Sequence, residues 1–259
     1  MDGTQIRWGS AARLEAVSIL AARAGMIVSP TKVGYIVMAV DREGLERKFD
    51  AKQRSRSKPG VVLVSSMQML RRLAQLTPEI EALYQRCWDE DVLLGCILPW
   101  RESGIAMIPD DESVELVMDN RKTSCFVIRF GAPSEVIAQD LWEQYGMLTF
   151  ASSANPSGMG NRGVLAGVGA RIATHADLLI EADDYVASIQ PDRTENDRYE
   201  QGVMVSMVDA EGRLVPEQHG ERSVLPAPTL IRKGLALDRI MMMLATSFPT
   251  WDYRHGEYY

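Results

Sequence analysis

Four basic side chains lie within seven residues of one another in a chain that is otherwise acidic: Lys52, Arg54, Arg56 and Lys58. They follow a predicted helix over residues 42–51 and precede a β-branched run over residues 61–64. Like charges packed this closely repel one another, so a folded protein usually keeps them for an anionic ligand or on a freely solvated surface. The helix-to-strand junction favours an anion site, and a solvated loop is the alternative.

Small polar residues form a second candidate anion site over residues 152–158, Ser-Ser-Ala-Asn-Pro-Ser-Gly, directly after a predicted buried strand. Short hydroxyl and amide side chains let backbone N–H groups approach an anion closely. An ordinary Ser/Asn/Pro/Gly turn is the alternative. Arg129 and Arg232 each lie in a short apolar run, where an arginine needs a partner. Each is therefore either a ligand-facing residue or a residue at a strand edge.

Other familiar site patterns are missing from the sequence. No Gly-x-Gly-x-x-Gly follows a predicted strand, and there is no Walker-type Gly-Lys-Ser/Thr. The three histidines lack metal-ligand spacing, and the acidic run 89–91 is typical of a solvated turn. We therefore predict no metal site formed by the protein itself.

Composition limits the class of protein. The net charge is −7 and the pI is near 5.1, which disfavours a dedicated duplex-binding protein, although a local basic pocket is compatible with it. No signal peptide and no membrane-spanning run is predicted, so we expect a cytoplasmic protein. Cys96 and Cys125 lie in apolar runs and are predicted to be small buried hydrophobic residues.

Periodicity predicts a mixture of strands and helices without a strict βαβ rhythm. This favours an α+β fold, a twisted mixed sheet flanked by helices. We expect one domain over residues 1–240, followed by a helix end and an aromatic tail over residues 241–259. Residues 104–108 are predicted as a strand. The polar residues 182–201 are predicted as a loop or flexible insertion.

Taken in order, several segments resemble the YrdC-like family, whose best-known members are threonylcarbamoyl-AMP synthases. The segment 30–35, Pro-Thr-Lys-Val-Gly-Tyr, matches the place of the family's Pro-Thr-(Asp/Glu)-Thr-Val-Tyr-Gly-Leu. Lys52, Arg54 and Lys58 match its Lys-x-Arg motif and the Lys or Asn before Pro, and residues 152–158 match Thr-Ser-Ala-Asn-x-Ser-Gly. Residues 205–209 and 231–234 are similar to its Ser-Thr-Val-Val-Asp strand and Leu-Arg-x-Gly ending. The resemblance runs from about residue 10 to residue 240.

The resemblance implies a concave basic ligand face and an ATP-dependent nucleotidyltransferase that also uses Mg²⁺. Bicarbonate and L-threonine, or another amino acid, would form a carbamate that attacks ATP to give threonylcarbamoyl-AMP and pyrophosphate, for tRNA modification. Lys52 and Arg54 would be catalytic. The implied nucleotide-binding residues are Lys52, Arg54, Lys58, Ser153, Asn155, Ser206 and Arg232. The implied amino-acid-binding residues are Thr31, Tyr35 and Arg129.

The sequence departs from the family pattern at the amino-acid side. Lys32 replaces an acidic residue, Leu63 or a close neighbour replaces a histidine, and residues 88–99 lack the family's Pro-Gly-Pro and Thr. A different amine or acid substrate is therefore one expectation. The alternative is a catalytically retired family member that binds a nucleotide or RNA, including tRNA.

Overall fold

The computed structural model describes residues 4–53, 55–56, 59–156 and 158–254. Its strands are β1 Thr4–Arg7, β2 Ile27–Thr31, β3 Gly34–Ala39, β4 Val61–Leu63, β5 Leu94–Pro99, β6 Thr123–Ile128, β7 Thr149–Ser153, β8 Leu178–Glu181, β9 Val203–Ser206, β10 Thr229–Arg232 and β11 Asp252–Tyr253. Its α-helices are α1 Ser10–Ala21, α2 Arg42–Lys52, α3 Met67–Leu73, α4 Pro78–Asp89, α5 Glu102–Ile105, α6 Val114–Val117, α7 Ala132–Tyr145, α8 Ala170–His175, α9 Asp183–Ile189 and α10 Leu237–Ser247.

The described strands form a single sheet in the order β1-β8-β2-β3-β7-β4-β6-β5-β9-β10-β11. Strands β2 and β3 form a hairpin, and β3 pairs antiparallel with β7. Other neighbouring pairs are parallel, such as β4 with β6 and β5 with β9, whereas β5 and β6 pair antiparallel. The sheet is mixed, and with its flanking helices it confirms the predicted α+β fold.

Helices cover the two faces of this sheet unequally. The largest core cluster packs Phe49 of α2, Tyr84 of α4 and Leu244 of α10 against one face. A second cluster brings α1 and α7 onto the other face near β2 and β3. A smaller cluster further along that face consists of residues from β5, β6, β9 and β10 and from the chain after β9. This arrangement leaves an open concavity beside α1 and α7.

Two sequence predictions differ from the structure. Residues 104–108 are not a strand, because the chain turns helically at α5 and the Gly104 backbone packs tightly on that of Leu73. A short apolar run does not by itself distinguish a strand from a buried helical turn. Residues 182–201 are not a loop throughout, because they contain α9 and bury Val186 and Tyr199.

The described helices are too short or too polar to cross a membrane.

Candidate functional site

A cleft of about 250 Å³ opens on the concave face, beside the turn between β2 and β3. Apolar residues of the sheet and its loops form its floor: Ile36, Val61, Leu63, Leu93, Val127, Phe130 and Met204. Small polar residues after β7 and the segment before β9 form its walls. Of the lining residues that the structure describes, the charged ones are two arginines, Arg198 and Arg232. The cleft is therefore cationic within a chain whose net charge is −7.

Two residues that line this cleft, Ser152 in β7 and Asn155 in the loop after it, contain buried polar atoms without partners. Ser152 Oγ and Asn155 Oδ1 are buried and make no hydrogen bond within the described chain. The Asn155 side-chain amide donates to the Pro156 carbonyl at 2.8 Å, and the Ala154 N–H donates to the Tyr35 carbonyl at 2.7 Å, which together fix the loop. Buried polar atoms are nearly always paired in folded proteins. The unpaired Asn155 oxygen is an acceptor, so its natural partner is a ligand group that donates a hydrogen bond, such as a hydroxyl or an amine.

The basic run divides into residues with different partners. Lys52 ends α2, is buried, and donates from Nζ to the carbonyl and the hydroxyl of Ser153. Arg56 instead pairs with Glu46 and Asp50 on α2. The predicted residues Arg54 and Lys58 lie outside the described residues. Lys52 is thus the described member of the run that contacts the end of β7.

The two predicted residues near the C-terminus lie apart from each other. Arg232 lines the cleft and donates from Nε to the Gly202 carbonyl at 2.9 Å. Ser206 lines a wider neighbouring depression of about 1340 Å³, and its hydroxyl donates to the Val208 carbonyl at 3.2 Å. Met204 lines the cleft two residues earlier on the same strand, so Ser206 lies on the same face of the sheet. The depression therefore continues the cleft along β9.

The polar side chains at the turn between β2 and β3 form hydrogen bonds with other groups of the protein. The Thr31 hydroxyl donates to the Gly34 carbonyl at 2.6 Å. The Tyr35 hydroxyl donates to Asp183 and accepts from the Ala182 N–H at 2.9 Å. Burial, together with the hydrogen bond to Asp183, raises the pKa of Tyr35 far above its ordinary value. Both residues line the cleft, but the Tyr35 hydroxyl is already hydrogen-bonded to residues at the start of α9.

Arg129 follows β6 and has partners within the protein. Its Nε donates to the Trp88 carbonyl at 2.8 Å, and its guanidinium lies 4.3 Å from the Trp88 ring centre. Asp91 lies 3.6 Å from Arg129 and 2.7 Å from the Lys32 ammonium. Glu135 is 3.9 Å from Arg129, and burial raises its pKa. Lys32, which stands where the family pattern has an acidic residue, therefore pairs with Asp91. Arg129 is bound by groups of the protein itself.

Besides the apolar floor and glycines, three polar cleft residues were not predicted from the sequence: Asn161, Arg198 and Gln201. Asn161 is buried and donates from its side-chain amide to the Tyr35 carbonyl at 2.8 Å. Arg198 and Gln201 come from the polar segment that was predicted as an insertion. One available signal for this segment was the tyrosine at position 199, since an aromatic residue in a polar run indicates a docked segment.

Comparison with known proteins agrees with this fold. The Sua5/YciO/YrdC family model, described as telomere recombination, matches residues 20–193. A hypothetical protein from Streptococcus mutans is 55% identical over the whole of both chains, with a TM-score of 0.93. No curated protein sequence matches the chain.

More distant structures share the fold. Sua5 from P. abyssi, in complex with L-threonine, is 21% identical with a TM-score of 0.63, and the match covers 94% of this chain and 60% of that one. YciO from E. coli is 15% identical with a TM-score of 0.62, over 90% of this chain and 95% of the other.

Proposed function

Because the chain belongs to the Sua5/YciO/YrdC family, we propose that its cleft binds ATP and forms a carbamoyl- or acyl-adenylate. The observation that carries this proposal is the combination of arginines with small polar residues in the cleft lining. The described charged residues of the cleft are arginines, and Ser153 and Asn155 line the wall beside them. Hydroxyl, amide and guanidinium groups are the side chains that proteins use to hold phosphates.

The default reaction uses L-threonine and bicarbonate. A carbamate oxygen attacks the α-phosphorus of ATP, the bond from that phosphorus to the bridging oxygen of the β-phosphate breaks, and pyrophosphate leaves with the bonding electrons. Such a transfer depends on positioning and on charge stabilisation and needs no covalent nucleophile. Lys52, together with Arg54 and Lys58 from outside the described residues, would neutralise the phosphates.

The other residues divide between the two substrates in this proposal. Ser153, Asn155, Ser206 and Arg232 would hold the nucleotide along the face that joins the cleft to the wider depression. On the amino-acid side, Thr31 and Tyr35 would fix the shape of the cleft wall through their hydrogen bonds within the protein. Arg129 would act indirectly, through its ion pairs with Asp91 and Glu135. The Sua5 structure that contains L-threonine supports an amino-acid site in this fold.

Mg²⁺ enters this proposal as part of the nucleotide substrate. No three acidic, histidine or cysteine residues group into a metal site in the part of the chain that the structure describes. The described cleft lining likewise offers arginines where a protein-held cation would need carboxylates. The ion would therefore be carried by the triphosphate, where it would neutralise charge on the phosphate oxygens.

The apolar floor bears on the second substrate. Leu63, Leu93 and Phe130 lie where hydrophobic contact with a ligand is available. A hydrocarbon side chain would bury its surface there favourably, whereas a hydroxyl would need a partner. An amine or acid with a larger apolar side chain than threonine is therefore included in the proposal.

Pyrophosphate release tests the proposal. The protein would be incubated with Mg-ATP, bicarbonate and each of the common amino acids in turn, with a Lys52→Ala variant and an assay without amino acid as controls. We expect release that depends on one amino acid and falls at least tenfold in the variant. An absence of release with every amino acid would contradict the catalytic proposal.

A further inference from the structure

Residues 190–201, here called the strap, are docked on the turns beside the cleft. The Gln190 side-chain amide donates to the Lys32 carbonyl at 3.1 Å, which joins the strap to the turn between β2 and β3. The buried Tyr199 donates from its backbone N–H to the Asn161 carbonyl at 2.9 Å. The Tyr199 ring also fills the space in which a side chain at Gly163 would lie. The strap is therefore a fixed wall of the cleft.

This docking places Arg198 against a glycine turn. A Cβ at Gly160 would lie 2.5 Å from Arg198 Nε and 2.7 Å from its Cγ and Cδ, so the arginine stem lies directly on the glycine. Gly160 has a φ of +73°, a conformation that residues with a Cβ rarely adopt. This turn follows the loop that holds Asn155, and Gly158, Gly160 and Arg198 all line the cleft. The Arg198 guanidinium, although distant in sequence, therefore lies beside the proposed phosphate-binding loop.

The Arg198 guanidinium has no counter-charge of its own. Within the described part of the chain, no carboxylate or carbonyl engages its side chain, which is exposed at the cleft. Its neighbour in the strap behaves differently, because Arg193 lies 3.7 Å from Glu200. Guanidinium groups bind phosphate through two parallel hydrogen bonds, and they are not deprotonated at any physiological pH. An unpaired one at the mouth of a cationic cleft is suited to an anionic ligand group.

We propose that Arg198 binds the terminal phosphates of the nucleotide, the part that leaves as pyrophosphate. This inference rests on the proposed function. In the proposed function the α-phosphorus lies beside the end of β7, where Ser153 and Asn155 line the cleft wall. The leaving pyrophosphate must face the solvent through which it departs, and Arg198 is on that exposed side. Its charge would stabilise the negative charge that develops on the leaving group.

Calorimetric titration of three ligands, Mg-ATP, pyrophosphate and AMP, tests this assignment. We expect Arg198→Gln to weaken the binding of ATP and pyrophosphate at least about tenfold and to change AMP binding less than about twofold. Arg193→Gln is the matched control from the same strap and should leave all three affinities unchanged. Arg198→Lys should recover part of the loss, because lysine keeps the charge without the planar fork.

Different failures have different meanings. If the wild type binds ATP and pyrophosphate, and Arg198→Gln binds both equally well, the role of Arg198 is wrong while the proposed function stands. An equal loss for AMP would also overturn the assignment to the terminal phosphates. If the wild type binds none of the three ligands, the proposed function itself is contradicted. Unfolding midpoints should match the wild type for all variants, because the Arg198 side chain is exposed.

Discussion

At the scale of single residues, the sequence indicated which residues line the cleft better than it indicated which groups they contact. Short hydroxyl and amide side chains after a buried strand indicated Ser153 and Asn155, and both line the cleft. The phenol of Tyr35 is different, because its partner Asp183 lies 148 residues further along the chain. Arg129 was predicted to need a partner, but the sequence did not identify Trp88, Asp91 and Glu135. Pairings over such distances are fixed by the topology of the sheet, which local patterns do not encode.

Asn155 allows ligand binding to be separated from stability. We expect Asn155→Ala to weaken ATP binding about tenfold, because the ligand loses a hydrogen-bonding partner. The free energy of unfolding should fall by only about 1 kcal/mol, because the side chain loses one hydrogen bond, to the Pro156 carbonyl, and its oxygen has no partner to lose. Calorimetric titration and urea denaturation measure the two quantities.

Thr149, on the strand β7 that leads into the loop of Asn155, provides the matched control. Its hydroxyl is buried and lacks a hydrogen bond within the described chain, and the residue does not line the cleft. Thr149→Val should stabilise the protein by about 1 kcal/mol and leave ATP affinity unchanged. Loss of ATP binding in Thr149→Val, or its retention in Asn155→Ala, would contradict the placement of the ligand beside Asn155.

At the scale of elements, the strong periodic segments were predicted and the weak ones were not. Helix α2 extends one residue beyond its predicted bounds of 42–51. Residues 104–108 were predicted wrongly because four apolar residues carry no reliable period. The strap was predicted as an insertion because its polar composition conceals the docking of Tyr199.

The contact between α2 and the start of β8 gives a prediction at this scale. Arg47 donates to both carboxylate oxygens of Asp177 at 2.8 Å, and to the carbonyls of Ala24 and His175. We expect Arg47→Met to lower the free energy of unfolding by about 2 kcal/mol, since several charge-assisted hydrogen bonds are lost. Arg71→Met removes an exposed pair with Glu81 and should cost less than about 1 kcal/mol. Equal losses measured by urea denaturation would contradict this ranking.

The same contact has a pH dependence with a defined sign. Burial acts to raise the pKa of Asp177, but the hydrogen bonds from Arg47 and Met26 outweigh it and hold that pKa below its ordinary value. A lowered carboxyl pKa in the folded state stabilises the protein above the ordinary value and ceases to do so as the pH falls through the lowered one. The difference between the wild type and Arg47→Met should therefore shrink on acidification below about pH 4.

At the scale of the whole molecule, composition and element order indicated the fold, and the order of weak motifs indicated the family. The family model matches residues 20–193, whereas Arg232 and the strands β9 and β10 beside the cleft lie beyond it. The shape of the cleft was not predictable, because it depends on how β9, the strap and the loop after β7 meet across the sheet. The basic run alone did not distinguish an anion site from a solvated loop.

The cysteines report on the integrity of the whole core. Cys87, Cys96 and Cys125 are buried and free, as predicted for Cys96 and Cys125. Burial raises the pKa of Cys87 and of Cys125 to about 12, so the reactive thiolate is scarce at neutral pH. We expect a thiol reagent to label the native protein slowly and to label three thiols per chain in denaturant. Rapid labelling of the native protein would contradict the packing described for the sheet.

The central claim is that the cationic cleft binds ATP, and calorimetric titration at moderate salt tests it most directly. We predict saturable binding of Mg-ATP at one site per chain, weakened at least tenfold by Lys52→Ala. Titration of tRNA under the same conditions should give much weaker binding, because the chain as a whole is acidic. An absence of ATP binding, combined with tight and steeply salt-dependent tRNA binding, would contradict the account and identify the chain as an RNA-binding module.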